Sequence, residues 1–322
     1  MSIVHDLKLS VALAVFNEEA NLGDCLESIK TIAQEIVIVD GGSTDKTVEI
    51  AQRYGANVIR TDNPPIFHIN KQKALDAAQG EWILQLDADE RVSKELAAEI
   101  VEIVSLSEIE LRGYRVKDEK KRLTFEKHER LLRAREGRIG TDSGEVAAFF
   151  VPRSNYFLGS FLRHGGVYPD GTIRLVRNGY AKYGLKDVHD QMEITGIVRW
   201  LNHDLIHMAD PNFARYLARS NRYTSLQAQH WIAANDKRGS ETMPKSAIQG
   251  RPGKSWIDIV KWFSWEPVKT FLKIYVRHKG FLDRFPGLVW AVYSGMHVAT
   301  SYVKYWETLN AEKQGDNPSR NS

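Results

Sequence analysis

Along the first hundred residues, short unbroken apolar runs alternate with stretches of helical spacing. Leu9–Phe16, Glu35–Asp40 (EIVIVD), Asn57–Arg60 and Trp82–Leu86 read as strands, and two of them stop at an acid. Between them, Ala20–Lys30 sets Leu22, Leu26 and Ile29 on one side, Asp45–Tyr54 turns Val48 and Ala51 inward with Gly55 just past its end, and Asn70–Gln79 closes at Gly80. Ser93 offers a cap for a helix running to about Ser105. Strands separated by helices of this length predict βαβ units and a parallel sheet. Because the strands are continuously apolar rather than alternating, both faces of that sheet must be covered.

Further along, the pattern changes. Arg112–Arg138 holds eleven Lys or Arg and five acids, the make-up of a solvated helix or mobile loop. Ala147–Val151 and Thr172–Val176 return as β-like runs among Gly and Pro turns, and Phe213–Ala234 is helical in spacing. Asp236–Lys254 reads as a polar linker, after which aromatic and basic residues interleave. The expected organisation is a nucleotide-binding and catalytic domain over 1–235, interrupted by a basic insertion at about 105–145, and a helical region over 236–322.

Composition narrows this picture. At 322 residues, 43% hydrophobic and 26% charged, the chain can bury a real core, which excludes disordered, collagen-like and disulfide-stapled classes. Cys25 is the lone cysteine, so no intrachain disulfide can form and a reducing compartment fits. The net charge of +3 says nothing for or against nucleic acid. Met1–Leu9 lacks the apolar core of a signal peptide, and the nearest thing to a membrane span, Gly287–Trp306, is broken by His297 and Lys304. The expected address is the cytoplasm.

In parallel sheets ligands bind beyond the carboxyl ends of the strands. Here those ends carry Asn17-Glu18-Glu19, Asp40-Gly41-Gly42-Ser43-Thr44-Asp45 and Asp87-Ala88-Asp89-Glu90. Two carboxylates at close spacing, Asp87 and Asp89, suit Mg²⁺ or Mn²⁺, ions that keep positions open for substrate phosphates. A diphosphate leaving group needs such help as negative charge builds on it. The plainer reading is a cap for the next helix. Asp40 reads either as a turn former or as a carboxylate accepting from a nucleobase N–H, with Gly41 and Gly42 letting the base approach the backbone. Neither G-x-G-x-x-G after the first strand nor G-x-x-x-x-G-K-[ST] is present, which argues against a dinucleotide cofactor and a P-loop NTPase.

At these residues the chain resembles the family 2 inverting glycosyltransferases of GT-A fold. The stretches that carry the resemblance are SVALAVFNEEANLGDCLESI, EIVIVDGGSTDKTVEIAQRYGANVI and NKQKALDAAQGEWILQLDADE, over about residues 9–104. The later VPRSNYFLGSFLRHGGVYPDGTIRLVRNG and DVHD resemble the bacterial branch of lipopolysaccharide core β-glucosyltransferases. The resemblance implies a Rossmann-like, mostly parallel α/β sheet flanked by helices, a nucleotide-diphospho-sugar donor, a divalent metal and direct inversion at the anomeric carbon. Carried over by position, Phe16, Asn17 and Glu18 line the nucleoside pocket, Asp40 and Gly41 meet the base, and Lys73 reaches the base or phosphates. Asp87 contacts the ribose or sugar and Asp89 holds the metal. Direct displacement also needs a general base for the acceptor hydroxyl. Asp170, ahead of Arg174 in YPDGTIRL, is preferred over Asp190, and His189 is a candidate for the metal or diphosphate. The plainer readings are a Pro-Asp-Gly turn for Asp170 and a core histidine for His189.

The insertion at about 105–145 departs from the branch and reads equally as a lid over the donor, a contact to acidic lipid or phosphorylated sugar, or a solvated excursion. The GFLDRFPGL stretch also departs from the branch, so Asp283 receives no role. Arg251–Phe285 holds eight Lys or Arg against three acids and interleaves them with Trp256, Trp262, Phe263, Trp265, Phe271, Tyr275, Phe281 and Phe285. Trp with Lys and Arg settles at an anionic bilayer surface, so the expectation is a peripheral protein on the inner face of the cytoplasmic membrane. A packed helical subdomain is the alternative, and nucleic-acid binding is not expected. The functional expectation is a hexosyltransferase of cell-envelope lipopolysaccharide biosynthesis, moving a sugar to a glycan or lipid-linked acceptor. The other readings are a nucleotidyltransferase that makes the activated sugar and a non-catalytic nucleotide-sugar scaffold.

Overall fold

The computed structural model describes residues 8–64, 66–137, 139–184, 192–235, 252–253 and 255–315, with the backbone alone at 135–136, 234–235 and 312–315. They group into two compact units, one of 8–155 with 169–209, the other of 156–168 with the residues from 210 onward.

In the first unit, β1 (Leu9–Val15), α1 (Leu22–Ile29), β2 (Glu35–Asp40), α2 (Thr47–Arg53), β3 (Asn57–Arg60), α3 (His68–Ala77) and β4 (Trp82–Leu86) follow the expected alternation. β1 pairs in parallel with both β2 and β4, and β2 in parallel with β3. The register sets Val15 beside Asp40 and Leu13 beside Leu86, so the three acid-bearing strand ends lie at one edge. Beyond β4 come β5 (Glu90–Val92), α4 (Lys94–Ile103), α5 (Glu108–Gly113), α6 (Glu119–Glu136), β6 (Val146–Val151) and β7 (Arg153–Phe157), which carries the chain toward the second unit. After β8 (Ser160–Leu162) in that unit, the chain returns as β9 (Thr172–Arg177), β10 (Ala181–Tyr183), β11 (Met192–Ile194), β12 (Ile197–Trp200) and β13 (Leu205–His207). The seven-stranded sheet runs β12-β6-β9-β4-β1-β2-β3, and β9 is antiparallel to its neighbours β4 and β6. The expected α/β architecture with a mostly parallel sheet is therefore present.

The sheet is apolar on both faces because helices cover it. Val11, Leu13, Ile38, Leu84 and Leu86 are buried with Leu22, Leu26 and Ile29 of α1 and Leu96, Ile100 and Ile103 of α4. Each such side chain contributes about 1.5–3 kcal/mol when fully buried. Ser93 caps α4 as expected, its hydroxyl accepting from the Leu96 N–H at 3.1 Å. Helix α2 starts two residues later than its pattern suggests, because the Asp45 carboxylate accepts from the Thr47 N–H at 3.0 Å and stays outside the helix. The three-residue β5 is too short to leave a periodicity and exists through its pairing with β13.

The basic stretch folds as α5 and α6. Helix α6 is anchored by aromatic stacking, with Phe125 against Trp200 at 4.5 Å between centroids and Trp200 against Phe150 at 4.6 Å.

In the second unit, β8 is followed by α7 (Phe213–Asn235), α8 (Trp256–Val260), a π turn at Lys261–Trp265, α9 (Glu266–Leu272), a second π turn at Lys273–Arg277, a 3₁₀ turn at Gly280–Asp283 and α10 (Arg284–Gly315). One core joins Phe157, Leu162 and Tyr216 with Trp290 and Tyr293, and another joins Ala228 and Trp231 with Trp262, Tyr302 and Tyr305. The compact unit therefore takes in α7, so the boundary expected at residue 235 falls inside it; the aromatic face of α7 finds its partners on α10. Asp283, given no role from sequence, accepts from the His164 N–H at 2.8 Å and holds this unit's own turn. Most of the expected linker at 236–254 lies outside the described residues.

Candidate active site

The ends of β1 and β2 are laced together by polar contacts. Asn17 adopts φ 54°, in the left-handed region that Asn tolerates, which lets its N–H donate to Ser43 Oγ at 2.8 Å while its Oδ1 accepts from the Thr44 N–H at 2.9 Å. The Glu18 N–H donates to Thr47 Oγ1 at 2.7 Å. Phe16 stands 43% exposed at this edge. Asp40 is only 1% exposed, and its carboxylate accepts from the N–H groups of Gly42 at 3.2 Å and Ser43 at 3.1 Å. Its observed contacts are thus those of a turn former, and Gly42 sits at φ 85° within that turn. A Cβ on Gly41 would come within 3.2 Å of Asn63 Cβ, so the turn passes close to the segment after β3. Lys73 on α3 donates to Thr61 Oγ1 at 2.7 Å in that same segment.

At the end of β4, the acids belong to a ring of polar contacts. Asp87 Oδ1 lies 2.5 Å from Lys71 Nζ and its Oδ2 lies 2.6 Å from Arg174 Nη2. Arg174 Nη2 also donates to Glu90 Oε1 at 2.6 Å, and Glu90 Oε2 accepts from the Asp87 N–H at 2.9 Å. Arg153 spans Glu90 Oε1 at 3.3 Å and Asp170 Oδ2 at 2.9 Å. Asp170 Oδ2 accepts from Asn155 Nδ2 at 3.0 Å, and Asn155 Oδ1 faces His207 Nδ1 at 2.5 Å. His207 Nε2 then lies 3.6 Å from Asp89 Oδ2. The path from Asp87 returns to Asp89, two residues along the same strand end.

Burial would raise the Asp87 carboxyl, but Arg174 and Lys71 beside it outweigh that and hold it well below the usual carboxylate range. Burial lowers the Lys71 ammonium, against the pull of Asp87. For Asp170, burial again pushes up, and Arg153 with the Asn155 hydrogen bond brings the group below its ordinary value. Breaking one partner out of a buried pair costs about 3–5 kcal/mol, which is why the charges come as a set.

The ring tests whether a cation fits. Asn155 turns its amide donor to Asp170 and its Oδ1 to His207 Nδ1, and His207 Nε2 faces Asp89 Oδ2 across 3.6 Å. Three cationic side chains (Lys71, Arg153 and Arg174) meet four carboxylates (Asp87, Asp89, Glu90 and Asp170), with His207 set between Asn155 and Asp89. A carboxylate and an imidazole nitrogen facing one gap suit a divalent ion. No cluster of three or more ligating side chains occurs among the described residues, so such an ion would draw its other ligands from substrate and water.

Asp170 sits at φ 35° in a tight turn whose next residue has no room for a side chain: a Cβ on Gly171 would lie 2.1 Å from the Trp200 ring. The Gly171 N–H donates to His128 Nε2 of α6 at 3.2 Å, so the basic insertion braces the turn that presents Asp170.

The structure thus brings Asp87, Asp89, Asp170 and Arg174 into one network. Phe16, Asn17, Glu18, Asp40, Gly41 and Lys73 stand at the neighbouring strand ends. Arg174 is buried within the acids rather than open to solvent. His189 and Asp190 lie outside the described residues. Sequence reasoning passed over Lys71, Glu90, Arg153, Asn155, His128 and His207. Glu90 stands beside Asp89 in DADE and Lys71 two residues before Lys73, both within reach of a closer look. Asn155 and His207 carry no spacing signal at all.

Residues 10–143 match the sequence profile of Glycosyl transferase family 2. The chain is 28% identical over 241 residues to the lipopolysaccharide core biosynthesis glycosyltransferase LpsC of Rhizobium meliloti, covering 73% of this chain and 76% of that protein. It is 39% identical over 101 residues to an uncharacterized glycosyltransferase of Rickettsia bellii, covering 31% of this chain but 34% of that protein. The chain therefore spans about three quarters of one relative's length and about a third of the other's. The solved structure of S. aureus TarS 1-349 in complex with UDP-GlcNAc aligns over 97% of this chain and 93% of its own at 14% identity, with a TM-score of 0.38, a likeness too slight to carry an argument. The profile match spans the strands that bear Asp40, Asp87 and Asp89, so the strand ends described above lie within the stretch that is similar to glycosyltransferase family 2.

Proposed function

We propose that the protein moves a sugar from a nucleotide-diphospho-sugar to a hydroxyl of a glycan or lipid-linked acceptor of the lipopolysaccharide core type, by direct displacement with inversion. The observation that carries this reading is the closed network linking Asp89 to Asp170 through His207 and Asn155. It ties a cation-seeking pair to a carboxylate able to act as a base. The similarity to LpsC supports the acceptor class.

In this mechanism Asp89 and His207 would hold Mg²⁺ or Mn²⁺, which would supply charge neutralisation for a departing diphosphate. Asp87, fixed by Lys71 and Arg174, faces the ribose or sugar. The loop of Asp40, Gly41 and Gly42 and the Phe16–Glu18 segment receive the nucleoside, with Lys73 beside them. Asp170 keeps Oδ2 on Arg153 and Asn155, while its Oδ1 has no partner among the described residues. That oxygen takes the acceptor hydroxyl's proton as the new C–O bond forms and the bond to the diphosphate breaks. A donor screen by thermal shift tests the reading. One nucleotide sugar is expected to raise Tm by several degrees with Mn²⁺ and by little without it, because a ligand at about 100 times its Kd adds roughly 2.7 kcal/mol. Absence of any Mn²⁺-dependent shift across the panel overturns it.

We propose that the second unit meets an anionic membrane surface. Trp256 is 75% exposed, and Phe263, Trp265, Phe281 and Phe285 are exposed with Val268, Leu272 and Val276 between them. Lys261, Lys273 and Arg277 are exposed along the same segment, as is Lys269, which pairs with Glu266. Trp262 departs from the expected band: it is 7% exposed and packs edge-on against Trp231 in the core. Phe271 and Tyr275 stack on each other and are half-buried. No helix among the described residues is long and apolar enough to cross a membrane. With about 1 kcal/mol from each base near the surface, changing Lys261, Lys269, Lys273 and Arg277 to Glu is expected to release the protein from anionic liposomes. Unchanged co-sedimentation removes the membrane reading.

A further inference from the structure

The insertion that braces the Asp170 turn also builds a cleft of its own. Between α6 and β12 lies a cavity of about 330 Å³ lined by Arg115, Arg122, Arg133 and Arg199, with Trp200 among its walls. That volume lies at the lower end of small-molecule pockets, roughly 300–1,000 Å³. Three acids, Glu126, Glu129 and Asp142, share the lining with these four arginines. Glu129 is fully engaged, accepting from Arg133 at 2.8 and 3.0 Å and from Trp200 Nε1 at 3.0 Å. Glu126 is exposed, and Arg122 reaches only Glu119, at 3.9 Å.

Arg199 has no hydrogen bond or ion pair among the described residues, and its Nε is a buried donor without an acceptor. Its charged neighbours are Arg115, Glu129 and Arg112, and burial first and Arg115 next lower its affinity for its own proton, against the pull of Glu129. Arg115 directs Nη1 to the backbone carbonyls of Arg112 and Tyr114, so it too brings no anion to the cleft. Unsatisfied guanidinium donors held beside like charge, in a walled space, are complementary to a compact anion of high charge, and the planar fork of arginine matches phosphoryl oxygens two at a time.

We infer that the α6–β12 cleft binds a phosphoryl group, with Arg199 and Arg115 as its principal ligands. This site is separate from the acids of the sheet edge and does not depend on the proposed transfer reaction. The group comes either on a soluble sugar phosphate or on a lipid, and the two sources separate by experiment.

The test is calorimetric titration of the full chain with inorganic phosphate at constant ionic strength, with EDTA present so that no cation-bridged anion at Asp89 contributes. Saturable binding is expected in the wild type, weakened at least tenfold by Arg199→Met and by Arg115→Met and unchanged by Lys94→Met, an exposed base of α4. Arg199→Met removes a buried donor that has no acceptor, so it is expected to melt no lower than the wild type, and circular dichroism is the folding control for Arg115→Met, which gives up bonds to two backbone carbonyls. Absence of saturable binding in the wild type, or equal binding in the wild type and both cleft variants, overturns the inference. Replacing phosphate by glucose 1-phosphate, or by phosphatidylcholine vesicles doped with phosphatidic acid, then identifies the source by whichever probe loses its binding in Arg199→Met.

Discussion

Asp89→Ala is expected to lower metal-dependent sugar transfer by roughly 10²–10³-fold or more, the scale at which removing one element of leaving-group charge stabilisation acts. The chain should still fold, because the nearest described partner of the Asp89 carboxylate is His207 at 3.6 Å, and no hydrogen bond in the network is broken. His207→Ala should weaken the response to Mn²⁺ while leaving donor recognition at the neighbouring strand ends in place. The measurement is nucleotide release against Mn²⁺ concentration for the wild type and both variants, with circular dichroism as the folding control. An Asp89→Ala protein that turns over donor at the wild-type rate removes the cation from the mechanism.

Asp170→Asn is expected to leave donor affinity unchanged and to reduce kcat by about 10²–10⁴-fold, the usual contribution of a positioned general base. Asn is the right probe here. It keeps the shape, and it tolerates the left-handed backbone that Asp170 adopts at φ 35°. The pH dependence follows from the surroundings. Burial opposes ionisation, but Arg153 and the Asn155 hydrogen bond win, and the carboxyl lies below its ordinary value. A depressed carboxyl is ionised above its unfolded value of about 3.9, so it serves as a base throughout the neutral range. Its function, with the stability that it contributes, is lost only as pH falls through the lower folded value. Arg153→Met should move the acid limb of kcat/KM upward. If Asp190→Asn abolishes transfer while Asp170→Asn does not, the base is Asp190.

Physical reasons separate what was legible in the chain from what was not. EIVIVD and WILQL were readable as strands because a β-branched or apolar run with both faces buried leaves an unbroken signature, and both span the residues expected. Ser93 was readable as a cap because capping is a local bond between residues three apart. The position of Trp262 was not. Aromatic residues beside bases look alike whether they face lipid or a core, and only the meeting of the segment with Trp231 and Tyr305 settles it. The basic insertion likewise gave no hint that Phe125 would dock on Trp200 or that His128 would support the Asp170 turn, since both contacts join residues far apart in the chain.

By itself the amino-acid order determined the alternation of strands and helices and the placing of acids at strand ends, because backbone preference, capping and unbroken apolar runs act between near neighbours. Only the tertiary structure decided that Asp89 reaches Asp170 through His207 and Asn155, that Lys71 and Arg174 hold Asp87, and that Arg199 lies unpaired beside Arg115. Those contacts join residues that are not near neighbours in the chain, and their energies arise from burial and charge that exist only once the sheet has brought them together.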